Sequence, residues 1–184
     1  MATCTKVMII RHAERPDQQA GISGVTEAGL ADKDELTTRG WQRAGALVRL
    51  FNPSVSAFLR PELAVPGAIF AALATDDNPS KRPLHTVTPL AAGLGLTIRK
   101  DFALHQEKDL VAAAVDAAAA VLICWHHERI PKLTTELGIQ IANWPDDVFD
   151  RVLVFDRAGE RWTLSVVQQH VLPGDAKPAA AAPG

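Results

Sequence analysis

Apolar residues along this chain gather into short unbroken runs separated by longer mixed segments. The first, Val7-Met8-Ile9-Ile10, follows Lys6 and stops abruptly at Arg11-His12. A strand with one wet face alternates apolar and polar residues, so an unbroken run predicts a strand buried on both faces, as in a parallel sheet. Residues 68–74 and 121–124 read the same way. Between these runs the period lengthens. Residues 36–51 place Leu47, Leu50 and Phe51 on one face of a helix that Thr37 can cap. Residues 82–94 predict a second helix with Pro83 in its first turn, residues 96–99 a short strand, and residues 107–119 an alanine-rich helix. A helix over 131–141 is stopped by Trp144-Pro145. Residues 151–155 and 162–167 flank a polar turn and predict a closing hairpin.

This alternation predicts an α/β fold, a three-layer sandwich with a mostly parallel central sheet and a ligand site beyond the carboxyl ends of its strands. Three such ends carry chemistry: His12, the 76–82 region, and His126-His127. The 184 residues, 47% of them hydrophobic, suit one domain over 1–174 that needs no disulfide or structural metal. Residues 175–184, rich in Ala and Pro, are expected to form a flexible tail.

Charge narrows the functional classes. Nineteen Lys plus Arg against 21 Asp plus Glu leave no basic footprint for nucleic acid and no electrostatic pull to a membrane, so a small ligand fits better. No apolar stretch approaches the roughly 20 residues that span a bilayer, and the first residues lack signal-peptide features, so a cytoplasmic location is expected. Cys4 and Cys124 sit inside apolar runs and read as buried thiols. The sequence sets no oligomeric state.

The strongest chemical signal is Arg11-His12-Ala13-Glu14 at the first strand exit. A neutral imidazole is a nucleophile, and a guanidinium beside it can grip phosphate oxygens in a fork. Three further segments follow in order: Leu36-Thr37-Thr38-Arg39-Gly40-Trp41-Gln42-Arg43-Ala44, Arg82-Pro83-Leu84-His85-Thr86, and Val121 through Trp125-His126-His127-Glu128-Arg129-Ile130-Pro131. The set resembles the Arg-His-Gly-Glu, Leu-Thr-x-x-Gly-x-x-Gln-Ala, Arg-Ala-x-Gln-Thr and Gly-His motifs of the histidine phosphatase superfamily, also called phosphoglycerate-mutase-like. Ala13, Arg43, Pro83, His85 and Trp125 are departures, and the resemblance spans about residues 5 to 170. No Gly-rich phosphate loop, dinucleotide turn or serine elbow competes with it.

The resemblance implies that His12 becomes phosphohistidine, that Arg11 and Arg82 bind the phosphate, and that a second histidine donates to the transferring group. Ungapped alignment points to His126 for that donor. A branch that begins Arg-His-Ala-Glu and carries Trp-x-His-x-x-Ile-Pro, echoed also by Trp144-Pro145 and Phe149-Asp150, points to His127, which we place slightly ahead. Neighbours on an extended chain face opposite sides, so only one of the pair fills the role. Arg15 resembles the second arginine of the Arg-His-Gly-x-Arg opening of the acid phosphatase branch, where it touches phosphate. A general acid, if supplied by a loop after Arg82, is Glu107 or Asp109, and both also suit the opening of a helix. The same geometry argues against a metal at His126-His127-Glu128. The expected activity is a metal-independent, cofactor-free phosphatase acting on a small phosphorylated substrate, a phosphomonoester or phosphohistidine. The alternatives are a catalytically weak binding protein on the same fold and a phosphomutase.

Overall fold

The computed structural model describes residues 3–56 and 59–175. Its apolar runs lie side by side as the interior of one five-stranded sheet: β1 (Lys6–Arg11), β2 (Ala68–Ala71), β3 (Ala120–Trp125), β4 (Arg151–Ala158) and β5 (Arg161–Gln168), in spatial order β2-β3-β1-β4-β5. β2, β3 and β1 are parallel, β4 runs antiparallel to β1, and β5 antiparallel to β4. Only β4 therefore points against the rest.

The unbroken runs are explained by burial on both faces. Val7 and Ile9 turn to one side, with Val121, Ile123, Leu153 and Phe155, and pack beneath α3 (Glu107–Val115) and α4 (Ile130–Glu136). Met8 and Ile10 turn to the other with Leu122, Cys124, Val152 and Val154, beneath α1 (Thr38–Phe51) and α2 (Arg82–Leu94). The result is a three-layer sandwich. Cys4 and Cys124 are free and buried, and burial pushes the Cys124 thiol far above its ordinary range, so it is inert filling.

α1 begins where the sequence expects, with Thr37 Oγ1 accepting the Gly40 N–H at 3.1 Å. Gly40 has a second reason to lack a side chain: a Cβ there would lie 2.7 Å from the Glu14 carbonyl oxygen. The helix thereby rests directly on the backbone that follows His12. α2 spans the expected residues and ends at Gly95, whose φ of 67° is left-handed.

Four expectations change. Residues 96–99 form no strand; only Arg99 makes an isolated bridge, to Phe70. α3 and α4 stop at Val115 and Glu136, short of the predicted ends; just past α4, Gly138 takes a left-handed φ of 80° and turns the chain out of the helix. Asp175, expected to open the tail, is instead bound to the Arg43 guanidinium at 2.7 Å with its side chain buried. Residues 176–184 lie outside the described residues. Among those described, no helix is long and apolar enough to cross a membrane.

Candidate active site

Sheet register builds the centre of the site. β1 and β3 pair with Arg11 opposite Trp125, and the His12 N–H donates to the Trp125 carbonyl at 3.1 Å. The next residues along each strand, His12 and His126, consequently emerge side by side. Their rings meet edge-on, centroids 5.4 Å apart and planes at 71°, and the residues are 2% and 5% exposed.

His12 carries a neutral imidazole in one defined tautomer. Its Nδ1 lies 2.8 Å from the Ala13 carbonyl oxygen. A carbonyl only accepts, so Nδ1 holds the proton and Nε2 keeps its lone pair. Burial holds the His12 pKa well below 6.5, opposed by the Ala13 hydrogen bond and reinforced by the charges of Arg11, His126 and Arg82. The ring is neutral at neutral pH. Burial likewise lowers His126, to about 4.

Two arginines flank this pair. Arg11 is buried: its Nη1 donates to the carbonyls of Pro145 (3.3 Å), Asp146 (2.7 Å) and Val148 (3.2 Å), and its guanidinium lies 3.8 Å from the centroid of the Phe149 ring. Burial pulls even this guanidinium down, to about 10. Arg82 is the first residue of α2 and donates from Nη1 to the Lys33 carbonyl at 3.2 Å. Its charge is near enough to depress both His12 and His126. Thr86, one turn along α2, holds the helix to the loop after β1. Its hydroxyl accepts the Ala13 N–H at 2.8 Å and donates to the Arg82 carbonyl at 2.7 Å. The Nε atoms of Arg11 and Arg82 are both buried without a partner among the described residues. A buried N–H left unsatisfied is costly, and a bound oxyanion would satisfy both.

His127 turns away from this centre. Its Nε2 lies 3.0 Å from Asp146 Oδ1, and its Nδ1 is 3.3 Å from Arg11 Nη2 and 3.0 Å from Glu128 Oε2. Thus His126, not the slightly preferred His127, faces His12, because register with β1 decides which of two neighbours points inward. Arg15 pairs with Asp146 Oδ2 and is 44% exposed, and its charge lies near enough to act on both Arg11 and Arg82. Phe149, Asp146 and Arg15 also line an adjoining cavity of about 610 Å³.

Glu107 is held by four donors. Its carboxylate accepts from Arg129 Nε (2.9 Å) and Nη2 (2.7 Å), from the Trp125 indole at 3.2 Å, and from the His105 N–H at 3.2 Å. Burial would raise its pKa, but these donors outweigh it and lower the value. A general acid needs the reverse. Glu107 clamps α3 to the end of β3. Asp109, the other acid considered, opens the same helix.

Arg43, the departure from Gln, is also accounted for. Buried under the loop, it bonds Glu14, Gln169 and Asp175 together, while Arg39 reaches Glu14 and the Pro173 carbonyl. Sequence reasoning missed the 145–149 turn as the collar of Arg11, although Trp144-Pro145 and Phe149 had been singled out. Among the described residues no group of three His, Cys, Asp or Glu side chains converges as a metal site would.

No family model and no curated protein sequence matches the chain. Solved structures do match it along nearly its whole length. The protein histidine phosphatase SixA complexed with tungstate is 17% identical, with 89% of this chain and 97% of that one covered and a TM-score of 0.53. A mycobacterial glucosyl-3-phosphoglycerate phosphatase in complex with VO3 is 16% identical over 90% and 99%, TM-score 0.54. A phosphoserine phosphatase mutant from Entamoeba histolytica in complex with phosphoserine is 13% identical over 91% and 99%, TM-score 0.54. At such identities the likeness is one of backbone architecture alone: this chain shares the phosphoglycerate-mutase-like α/β fold of these structures.

Proposed function

We propose that this chain is a phosphatase that hydrolyses a phosphomonoester or phosphohistidine through a phosphohistidine formed on His12. The observation that carries the reading is the state of His12: neutral, its Nδ1 proton bound to Ala13, its Nε2 lone pair free, and beside it two guanidiniums whose buried Nε groups have no partner among the described residues.

In the first step Nε2 attacks phosphorus in line, the P–N bond forms, and the P–O or P–N bond to the leaving group breaks, its electron pair departing with that group. Arg11, Arg82 and His126 hold the equatorial oxygens as charge builds on them. Water then attacks the phosphohistidine, the P–N bond to His12 breaks, and inorganic phosphate leaves. Because these donors are built into the protein, the reaction is expected to run without a divalent ion. Glu107 is not placed to protonate the leaving group, which favours substrates that depart readily, such as the imidazole of phosphohistidine, over simple alkyl esters.

The test is a rapid-quench experiment with a radiolabelled phosphomonoester and with a phosphohistidine peptide. An acid-labile, base-stable adduct is expected on wild-type protein and none on His12→Ala. Turnover that persists in His12→Ala would overturn the reading, and tungstate binding without any adduct or turnover would mark a binding protein instead.

A further inference from the structure

The phosphoryl-transfer reading leaves His127 without a task, yet its ring is only 19% exposed and both of its nitrogens lie against charged groups. Burial and the Arg11 cation hold its pKa below the ordinary value, against the pull of Glu128 and Asp146, so the neutral ring predominates at neutral pH. Two neutral tautomers are available. With the proton on Nδ1, the ring donates to Glu128, but the Nε2 lone pair then faces the Asp146 carboxylate and Arg11 loses its acceptor. With the proton on Nε2, Asp146 Oδ1 accepts it at 3.0 Å and Nδ1 can receive Arg11 Nη2 at 3.3 Å. Each tautomer turns one lone pair toward a carboxylate, and the second alone adds a bond to a cation. Glu128, half exposed, is left to solvent in that state.

The consequence falls on Arg11. Three carbonyls of the 145–148 turn fix its Nη1, and Phe149 fixes the plane of the guanidinium. A planar group held at one nitrogen can still rotate within its plane. The His127 contact at Nη2 supplies a second point and stops that rotation, leaving Nε as a donor that no described residue engages. Arg15, on the other oxygen of Asp146, steadies the far end of the chain.

We propose that Asp146 and His127 form a positioning dyad for Arg11: Asp146 fixes the Nε2–H tautomer of His127, and His127 Nδ1 sets the in-plane orientation of the guanidinium that grips the phosphate. Neither residue touches the transferred group. The proposal rests on the reading of Arg11 as a phosphate ligand, and the test separates the two.

Tungstate, a tetrahedral dianion, is titrated calorimetrically at neutral pH into wild-type protein and into His127→Leu, His127→Asn, Asp146→Ala, Arg11→Ala and the double variant Arg11→Ala/His127→Leu, with thermal melts to confirm folding. His127→Leu and Asp146→Ala should each weaken tungstate binding about 10- to 100-fold, the worth of one hydrogen bond to a charged group. His127→Asn, which places an acceptor near the position of Nδ1, should recover part of the loss. In the Arg11→Ala background, His127→Leu should weaken binding no further, because its effect passes through the missing guanidinium. Additive losses, or no loss in the folded single variants, would overturn the dyad. Wild-type affinity in Arg11→Ala, or no tungstate binding by the wild type, would instead overturn the phosphate-site reading. If His127→Leu does not fold, Asp146→Ala at the exposed rim carries the same cycle.

Discussion

The ring of His126 meets that of His12 edge-on, 5.4 Å between centroids, while its sequence neighbour His127 points to Asp146. The two adjacent histidines should therefore fail differently when changed. His126→Leu is expected to lower kcat by on the order of 100-fold, as loss of one donor to the transferring group does. His127→Leu should act chiefly through KM. Steady-state kinetics on both, with the rate of adduct formation on His12, checks this. A wild-type kcat in folded His126→Leu would remove His126 from the site.

Arg82 begins α2 with its Nε buried and, among the described residues, without a partner. Because Arg82 is the proposed phosphate ligand, Arg82→Met should cost on the order of 100 to 1,000-fold in turnover and change stability by no more than about 1 kcal/mol in either direction. Arg82→Lys keeps the charge but not the planar fork and should recover only partly. Wild-type rates in both variants would place the arginine outside the site.

Glu107 should show the opposite pattern. Glu107→Gln loses the ionic contact to Arg129 while keeping most of the volume, and should destabilise the protein by about 1 to 3 kcal/mol with kcat nearly unchanged. Its folded pKa is depressed, so its contribution is complete above the ordinary carboxylate value and is lost as pH falls through the folded value. Urea midpoints measured against pH should thus show a shallower acid loss in Glu107→Gln. A collapse of turnover in a folded variant would restore the acid role.

The buried histidines set a second pH window. His12 and His126 have folded pKa values below the unfolded value of 6.5, that of His126 at about 4, so the unfolded chain binds protons that the native state refuses. Stability is then fullest above pH 6.5 and declines below it, by at most about 1.4 kcal/mol per pH unit for each histidine. His126→Leu should remove one histidine's share of that slope between 6.5 and about 4. Turnover, corrected for ionisation of the substrate, should persist below pH 6.5, since His12 stays neutral there. An acid limb centred at 6.5 or above and lost in no other variant would contradict the neutral, buried His12.

Much of this architecture was legible before any coordinates. Unbroken apolar runs at residues 7–10 and 121–124 required burial on both faces, and that alone demanded helices above and below a sheet. Thr37 and the Arg82-Pro83 step marked helix starts because capping and the missing N–H of proline are local physics. His12 at the exit of a buried strand, with Arg11 beside it, was visible for the same reason. The hairpin of β4 and β5 followed from two apolar runs around a polar turn, though not its antiparallel seat against β1.

What the chain could not show locally was decided by contacts between distant residues. Linear motifs pointed to His126 by one alignment and to His127 by another; the pairing of Arg11 with Trp125 across two strands turned one toward His12 and left the other to Asp146. Glu107 read either as a candidate acid or as the opening of a helix; only with α3 laid against β3 do Trp125 and Arg129 engage both of its oxygens. Asp175 read as tail and became a partner of Arg43, 132 residues away. Periodicity and capping act over one or two turns and are written into neighbouring residues. The ownership of a carboxylate or the facing of an imidazole depends on which surfaces meet, and only the packed sheet and helices determine that.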